Sequence, residues 1–486
     1  MLNELKKESN IIRTENGAIS NASSLDNCLD FFALCGALRN AETERIETDF
    51  LRAYVSSPDY AMKILFYARD VRMGLGERRV FRICIKYLAQ NFRQSVIKNI
   101  PYIAEYGRFD DLLELFDTPC ENDMLSYVKN VLEDDCVLME QGMGISLLAK
   151  WLPSINASNC LHRMQAKRIA KHMKMSEKKY RQTLSKLRAY IDILETHLCN
   201  MDYTFDYEKQ PSNAMFKYRG AFLRNDTERY CSFIEKVKEN KKQLHTGTLY
   251  PYQIVRQIFK NDLTDDEKAS LDATWNALPD FCDNRNAIAV VDGSGSMYAG
   301  YGSAIRPIDV ALSLGIYFAE HNQGHFHNHF ITFSRNPELV EIEGSDIHSK
   351  VKYCESYNEV ANTDIMRVYG LILKTAVKNH LPQSELPETI YIISDMEFDM
   401  GSDQDMSLHD EVKSFYKKYG YVLPNIVYWN VNSHQNQFPV TKDEYGTVLV
   451  SGASPNLFKM VISQETNPIE YMKSILDGER YEKISA

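Results

Sequence analysis

The chain has 486 residues, of which 44 % are hydrophobic and 25 % charged. These values are ordinary for globular proteins and exclude wholesale disorder or a fibrous repeat. The formal net charge of -10 argues against a protein that binds nucleic acid over its whole surface, because such binding needs many cationic contacts to phosphate. The polar first residues and the lack of a long apolar run predict a cytoplasmic protein with no membrane partner.

The charge is distributed unevenly and predicts two domains. Residues 283–486 carry 16 Lys and Arg against 27 Asp and Glu, and subtraction from the totals of 56 and 66 leaves 40 against 39 for residues 1–282. The spacing of apolar residues changes at the same position. We therefore expect an all-α domain over residues 1–282 and an α/β domain over residues 283–486.

Within residues 1–282, apolar residues recur every three or four positions, which is typical of amphipathic helices. Two helix pairs on short connections are predicted: Tyr60–Val71 with Arg78–Asn91, and Ser95–Tyr106, interrupted at Pro101, with Asp110–Phe116. Helix pairs of this kind favour a HEAT-like helical repeat.

After residue 279, short β-rich runs alternate with helical ones. Strands are predicted at Ala287–Val291, Phe326–Phe333, Glu338–Ile342, Thr389–Ile393, Asn425–Asn430 and Thr447–Val450. Helices are predicted at Ile305–Ala319, Thr363–Asn379, Ser407–Tyr419 and Asn456–Ile462. The alternation indicates a doubly wound, mostly parallel, Rossmann-like sheet, which binds ligands beyond the carboxyl ends of its strands.

The first of these strands is followed at once by Asp292, Ser294 and Ser296, which alternate with glycines. A turning loop can aim one carboxylate and two hydroxyls at a common point, and such hard oxygen donors suit Mg²⁺ or Mn²⁺. The segment lacks the third glycine of a dinucleotide loop, the lysine of a phosphate-binding loop and the nucleophile elbow of a hydrolase.

This Asp-x-Ser-x-Ser segment resembles the metal-ion-dependent adhesion site of von Willebrand factor A domains. In that family a Thr from a second loop and an Asp from a third complete the site. The resemblance implies that Thr363 and Asp395 fill these roles, although Asn362 stands where many relatives have Gly. It also implies a bound Mg²⁺ or Mn²⁺ that accepts a carboxylate from a partner protein.

Two other kinds of chemistry are conceivable near these residues. Glu397 and Asp399 are the nearest candidates for a catalytic acid or base, but no activated nucleophile accompanies them, and we expect no enzyme activity. His325, His327 and His329 alternate and would share one face of a strand. A metal site there lacks an obvious carboxylate or cysteine ligand, so a solvent-facing strand start is the simpler interpretation.

The helical domain contains a concentrated run of positive charge. Ten Lys and Arg but only one acid lie between residues 163 and 188, and Lys167, Lys171, Lys174 and Lys178 follow helical spacing. Such a stripe is often only a solvated face. Its concentration in this half nevertheless favours nucleic-acid binding.

Two further groups add cations. Arg69, Arg72, Arg78 and Arg79 surround a turn that contains two glycines, where they can bind phosphates or pair with Asp70 and Glu77. Arg219 lies beside the aromatic residues Tyr218 and Phe222, a combination that suits stacked single-stranded bases or ordinary core packing.

The overall layout is similar to the Ro autoantigen and other TROVE-module RNA-binding proteins, and more closely to a sister group with the same two parts. The resemblance covers about residues 30–465 and lies in the A-domain motif and in segments 69–79, 176–188 and 217–230. It implies a helical ring closed against the A domain that binds single-stranded RNA ends in its hole and small structured RNA on its basic face. The positions carried over for RNA are Lys167, Arg168, Lys171 and His172.

The leading hypothesis is therefore a non-enzymatic RNA-binding protein with a TROVE-like helical scaffold over 1–282 and a von Willebrand factor A domain over 283–486. The bound metal would serve ring closure or recruit a protein that offers an acidic side chain. The alternative is a metal-dependent adaptor between proteins that binds no RNA.

Overall fold

The structure is a computed structural model that describes residue 1 and residues 9–260, 262–282, 286–299, 305–333, 336–357, 364–401, 406–460 and 467–486. In the described part of the N-terminal half, a short antiparallel hairpin is followed by helices. The hairpin strands are β1 (Ile11–Arg13) and β2 (Ile19–Asn21). The helices are α1 (Asn27–Leu34), α2 (Thr43–Ser56), α3 (Pro58–Arg69), α4 (Arg78–Asn91), α5 (Arg93–Tyr106), α6 (Glu121–Glu140), α7 (Leu148–Trp151), α8 (Cys160–His172), α9 (Glu177–Ile191), α10 (Leu194–Cys199), α11 (Ser212–Asn225), α12 (Thr227–Lys238), α13 (Pro251–Ile258) and α14 (Asp265–Asn276).

The C-terminal half alternates strands with helices. The strands are β3 (Ala287–Asp292), β4 (His329–Phe333), β5 (Leu339–Glu341), β6 (Thr389–Ser394), β7 (Asn425–Asn430) and β8 (Thr447–Ser451). The helices are α15 (Pro307–His321), α16 (Ile347–Glu355), α17 (Ile365–Lys378), α18 (Leu408–Lys418), α19 (Asn456–Met460) and α20 (Pro468–Leu476). A helical half followed by an α/β half is thus confirmed, whereas the HEAT-like repeat and the ring stay predictions.

The six strands form one mixed sheet in the order β5-β4-β3-β6-β7-β8. All neighbours run parallel except the edge pair β4 and β5, which is antiparallel. From β3 the chain first builds the sheet toward β4 and then returns to add β6 on the other side. The carboxyl ends of β3 and β6 therefore flank the point where the strand order reverses, which is where such sheets bind ligands.

Amphipathic spacing explains the helices that the sequence predicts well. In α4 the buried residues are Val80, Phe81, Cys84, Ile85, Leu88 and Ala89, the three- and four-residue repeat of one helix face. Glu77 caps the start of the helix by accepting a hydrogen bond from the backbone N–H of Arg79. This helix spans the same residues as the one predicted from the sequence.

Three element predictions need correction. The helix α5 runs through Pro101 without interruption, because Ile100 and Ile103 on its buried face hold it in the core. The predicted helix at 110–116 is a 3₁₀ helix, Phe109–Leu115. The predicted strand at 326–333 begins only at His329, after a turn.

The two halves share one continuous hydrophobic core, and each end of the chain crosses to the other half. The hairpin pairs with the C-terminal half through hydrogen bonds between Asn21 and Phe438 in both directions, at 3.0 and 2.9 Å. The last residues pack on α3 to α5, where Asn99 Nδ2 donates to the carbonyl of Ser485 at 2.6 Å. Gly36, after α1, lies so close to β8 that a Cβ would sit 2.5 Å from the carbonyl oxygen of Ser451.

A buried ion pair holds the C-terminal end in place. Asp70 is 0 % exposed, and its carboxylate accepts hydrogen bonds from Arg480 Nε at 2.8 Å and from Tyr481 at 3.3 Å. A buried carboxylate needs such partners because desolvation of an unpaired charge is costly.

Over the described ranges, no helix combines the length and the apolar character needed to cross a membrane.

We expect Arg480→Met to lower the free energy of unfolding by about 3 kcal/mol, because it leaves the buried Asp70 without its cation. Chemical denaturation of the full chain measures this change. The matched control is Arg93→Met, which removes a largely exposed pair with Asp123 and should cost under about 1 kcal/mol. Equal losses in the two variants would contradict this account.

Candidate metal and nucleic-acid sites

Asp292 lies at the centre of the candidate metal site. It is the last residue of β3 and is 0 % exposed. Parallel pairing of Val291 with Ile393 brings it beside the end of β6, where Ser394 Oγ donates a hydrogen bond to Asp292 Oδ2 at 2.6 Å. The backbone N–H of Ser294 donates to Oδ1 at 2.9 Å. The sheet register therefore fixes this carboxylate.

The two serines of the motif follow directly. Ser294 is buried and Ser296 is half-buried, and their hydroxyl oxygens lie 3.1 Å apart. A 3₁₀ turn over Gly295–Tyr298 provides this geometry. The hydroxyls thus point toward a common region, as the alternating sequence predicts.

Asp395 follows β6 and is 1 % exposed. Its Oδ1 accepts a hydrogen bond from the backbone N–H of Glu397 at 3.3 Å. Its Oδ2 is buried and has no hydrogen-bond partner, although His434 Nε2 lies 3.4 Å away. This contact is electrostatic, because it lacks hydrogen-bond geometry.

Burial strongly perturbs the carboxyl group of Asp292. Desolvation, followed by the negative charge of Asp395, raises the pKa of Asp292 to about 7. The contact with Asp395 raises the pKa of His434. The sequence analysis missed His434, although its place just beyond the carboxyl end of β7 was a signal that could have identified it.

The donor set fits a small divalent cation. Two buried carboxylates and two hydroxyls provide hard oxygen ligands, and Asp395 Oδ2 accepts no hydrogen bond, although His434 contacts it. Within the described part of the chain, no cluster of three or more His, Cys, Asp and Glu side chains is arranged to hold a metal, so the serine hydroxyls are essential to this assignment. Thr363, the remaining predicted ligand, lies outside the described residues.

The N-terminal hairpin covers the loop that follows Asp395. Thr14 Oγ1 donates to the carbonyl of Phe398 at 2.7 Å, and Asn16 Nδ2 donates to the carbonyl of Glu397 at 2.7 Å. The backbone N–H of Glu15 donates to Glu397 Oε2 at 2.9 Å. Glu397 is buried, and desolvation raises its pKa. Sequence patterns missed this contact because the strands of the hairpin are only three residues long.

The helix α2 holds the loop that follows β7. Arg45 Nη1 donates to the carbonyls of Ser433 at 2.8 Å and His434 at 2.7 Å, and its Nη2 donates to Asn436 Oδ1 at 2.9 Å. Loops at the carboxyl edge of the sheet are thus fixed by two N-terminal elements, the hairpin and α2.

The histidines at 321–329 do not line one face of a strand. His321, His327 and His329 each donate an Nδ1 hydrogen bond to a backbone carbonyl, at 2.8, 2.6 and 2.7 Å. Only His329 belongs to a strand, so the alternation in sequence does not place these rings on one strand face.

The four arginines near the glycine turn separate into two environments. Arg69 is 2 % exposed and pairs with Asp111 at 2.8 Å, which corrects its assignment to an RNA-binding surface. Arg72, Arg78 and Arg79 are exposed. Arg72 and Arg79 donate to backbone carbonyls, whereas Arg78 has no hydrogen-bond or ion-pair partner within the described chain. Desolvation and the nearby charges of Arg82 and Arg108 lower the pKa of Arg78.

The basic stripe is only partly available. Lys167 pairs with Glu177 at 3.3 Å, Arg168 pairs with Asp117 at 2.7 Å and also with Glu121, and the His172 ring lies 3.4 Å from the Ser126 hydroxyl. The positive charges of Lys167 and Arg168 are thus balanced locally by acidic side chains.

Three lysines of the stripe remain. Lys171, Lys174 and Lys178 are exposed and have no ion-pair partner among the residues that the structure describes. Lys174 has a positive φ of 54°, so the predicted stripe does not follow one helix: it crosses the turn between α8 and α9. These lysines form an exposed group that we call the lysine patch.

Arg219 belongs to the packing of the helical half. Its Nη1 donates to the carbonyl of Phe216 at 2.7 Å, and its guanidinium lies 4.5 Å from the Phe216 ring centroid. Desolvation lowers its pKa, and Phe222 is fully buried. This group favours core packing over a stacking surface for bases.

Comparison with known proteins identifies the sequence family. Residues 14–137 and 123–282 match a domain of unknown function, DUF2828, and residues 286–483 match a second one, DUF7788. The DUF2828 match covers more than half of the chain, so the protein belongs to the DUF2828 family.

The proteins similar to this chain include a viral protein and a bacterial protein of known structure. Uncharacterized protein L728 of Acanthamoeba polyphaga mimivirus is 27 % identical over 96 % of this chain and 87 % of the viral protein. The crystal structure of the RO (RSR) protein of Deinococcus radiodurans aligns with 90 % of this chain and 99 % of that chain, at 12 % identity and a TM-score of 0.39. A structural similarity this low does not support any inference about the fold or function of this chain.

The raised pKa of Asp292 predicts how stability depends on pH in metal-free protein. The carboxyl prefers its protonated form in the folded state, so its contribution to stability is full below pH 4 and is lost as pH rises through about 7. Asp292→Asn replaces the carboxyl with a group that cannot ionise, so stability is no longer lost at high pH. This variant should therefore have a higher Tm than the wild type at pH 8 in EDTA, with little difference at pH 4.

Thermal unfolding at both pH values measures the effect. Asp309→Asn is the matched control, because Asp309 is buried but paired with Arg306 at 2.6 Å, and its substitution should lower Tm at pH 8. A lower Tm for Asp292→Asn at pH 8 in EDTA would refute the electrostatic assignment.

Proposed function

We propose that this protein is a non-enzymatic, cytoplasmic RNA-binding protein with a metal-dependent link between its halves. The helical half binds single-stranded or small structured RNA, and the α/β half binds Mg²⁺ or Mn²⁺ in a site of the von Willebrand A type. The observation that carries the RNA-binding proposal is the lysine patch, whose exposed charges lack anionic partners in the described chain. Phosphate contacts provide most of the affinity of RNA-binding surfaces.

The surroundings of the metal motif support a non-catalytic role. Glu397, the nearest candidate base, has its carboxylate bound by the backbone N–H of Glu15 and its carbonyl bound by Asn16. A catalytic base needs access to the proton that it removes. These contacts give Glu397 a structural role in holding the hairpin.

The same contacts favour closure of the two halves over recruitment of a partner protein. The hairpin and α2 bind the loops at the carboxyl edge of the sheet, next to Asp292 and Asp395. A cation held by these carboxylates would offset their mutual repulsion and stabilise the loops on which the hairpin rests. The metal-dependent adaptor, in contrast, requires this face to be open to an acidic side chain.

RNA binding is tested by filter binding of the full chain to single-stranded and hairpin RNA over a salt series. We expect affinity to fall steeply with salt. Changing Lys171, Lys174 and Lys178 together to Glu should lower the affinity for RNA more than about ten-fold. For single-stranded RNA, the slope of log K against log salt concentration should become shallower by about two, because three phosphate contacts are lost.

The matched control changes the exposed Lys374, Lys378 and Lys417 of the α/β half to Glu, which alters the net charge equally. RNA affinity should then stay close to that of the wild type. The RNA-binding proposal fails if the wild type shows no salt-dependent binding at low ionic strength or if both triple variants lose affinity equally.

Metal binding is tested by calorimetric titration of Mn²⁺. We expect Asp292→Ala to abolish binding, because Asp292 provides a buried ligand carboxylate, and Ser294→Ala to weaken it. Asp410→Ala, which changes an exposed carboxylate on α18, should leave it intact. Unchanged Mn²⁺ binding in a folded Asp292→Ala variant, checked by circular dichroism, would refute the site.

A further inference from the structure

A cleft of about 400 Å³ lies between the two halves, away from the lysine patch. The residues that line it include Arg39, the turn at residues 75–79 and the start of α13 on the helical side, together with Ile305 and Ala453 on the α/β side. Its volume falls within the range of small-molecule sites, and junctions between domains are a frequent location for them.

Three arginines give the cleft a positive charge. Arg39, Arg78 and Arg79 line it with a single acid, Glu77, which pairs with Arg39 at 3.6 Å. The contact with Glu77 is made by the buried Nε of Arg39, and Arg39 Nη2 donates to the carbonyl of Gly36 at 3.3 Å. Arg78, which has no partner within the described chain, has donors available for an anion, and guanidinium groups bind phosphate well.

The position of Arg79 is fixed by the backbone at residues 39 and 41. Its Nη1 donates to the carbonyls of Ala41 at 2.6 Å and Arg39 at 3.3 Å. This anchoring restrains the guanidinium before any ligand arrives, which reduces the entropy lost on binding.

Aromatic side chains form another part of the lining. Tyr250 and Tyr252 line the cleft, and their ring centroids are 6.1 Å apart at an interplanar angle of 27°. Gly76 has a φ of +63°, and a Cβ there would lie 1.9 Å from the hydroxyl oxygen of Tyr250. Glycine thus allows the arginine-bearing turn to approach the aromatic wall closely.

We propose that this cleft binds a free nucleoside phosphate. Arg78 and Arg79 hold the phosphate, Arg39 adds positive charge beside them, and Tyr252 contacts the base. An aromatic wall facing several guanidinium groups suits a ligand with both a planar ring and an anionic group. This inference goes beyond the proposed RNA binding, since it assigns a small-molecule site that is occupied without RNA.

Calorimetric titration of the full chain with AMP, adenosine and inorganic phosphate tests the proposal. AMP should bind at least about ten-fold more tightly than either fragment, because it alone engages both walls. Arg78→Gln should weaken AMP binding about ten-fold, the loss expected for one charged hydrogen-bonding partner. Tyr252→Leu should weaken AMP but not phosphate. Arg181→Gln, at an exposed position of α9, is the matched control and should leave AMP binding unchanged.

Three results would overturn the proposal. They are no AMP binding at millimolar concentration, phosphate binding as tight as AMP binding, and AMP binding that is insensitive to Arg78→Gln. A 5′-phosphorylated RNA dinucleotide is a further arm: if it binds and AMP does not, the cleft belongs to an RNA surface and the free-nucleotide site is wrong. The calorimetric and RNA filter-binding experiments can fail separately, so failure of this site is distinguishable from failure of the proposed function.

Discussion

Asp70 is fully buried and carries a charge whose main partner, Arg480, comes from the far end of the chain. A buried carboxylate is stable only when its hydrogen-bonding capacity is met, so the helical half depends on residues that follow the α/β half. Tyr481 adds a second hydrogen bond and packs on Tyr106 with ring centroids 5.7 Å apart. The two halves therefore form one interdependent structure and share one core.

The other end of the chain makes the reciprocal contact. The hairpin at residues 11–21 bonds to the loops of the α/β half at Phe398 and Phe438, while the C-terminal residues bond to the helices at Asn99. Because each half is completed by a segment of the other, movement at the carboxyl edge of the sheet is coupled to the helical scaffold. A cation bound at Asp292, as we propose, would therefore influence the helical half through these contacts without a partner protein.

Two kinds of charge occupy separate places in this structure. The carboxylates of Asp292 and Asp395 are buried close together at the reversal point of the sheet, an arrangement that a divalent cation would stabilise. The cations of the helical half are either neutralised, as in Arg69 and Arg168, or concentrated in the lysine patch and the cleft. The overall charge of -10 describes neither environment, since each depends on which charges burial and pairing leave available.

The sequence by itself determined the change from helical to α/β structure, the strands β3, β6 and β7, and the place of Asp292 and Asp395, because periodicity and strand-end motifs are local properties. Only the tertiary structure decided which cations face solvent. Arg69 and Lys171 look alike in sequence, but Arg69 is buried in an ion pair with Asp111. Lys171 is exposed and has no ion-pair partner among the described residues. The hairpin contact with Glu397 and the cleft between the halves join residues hundreds of positions apart. No local pattern encodes such contacts, because they arise from long-range packing.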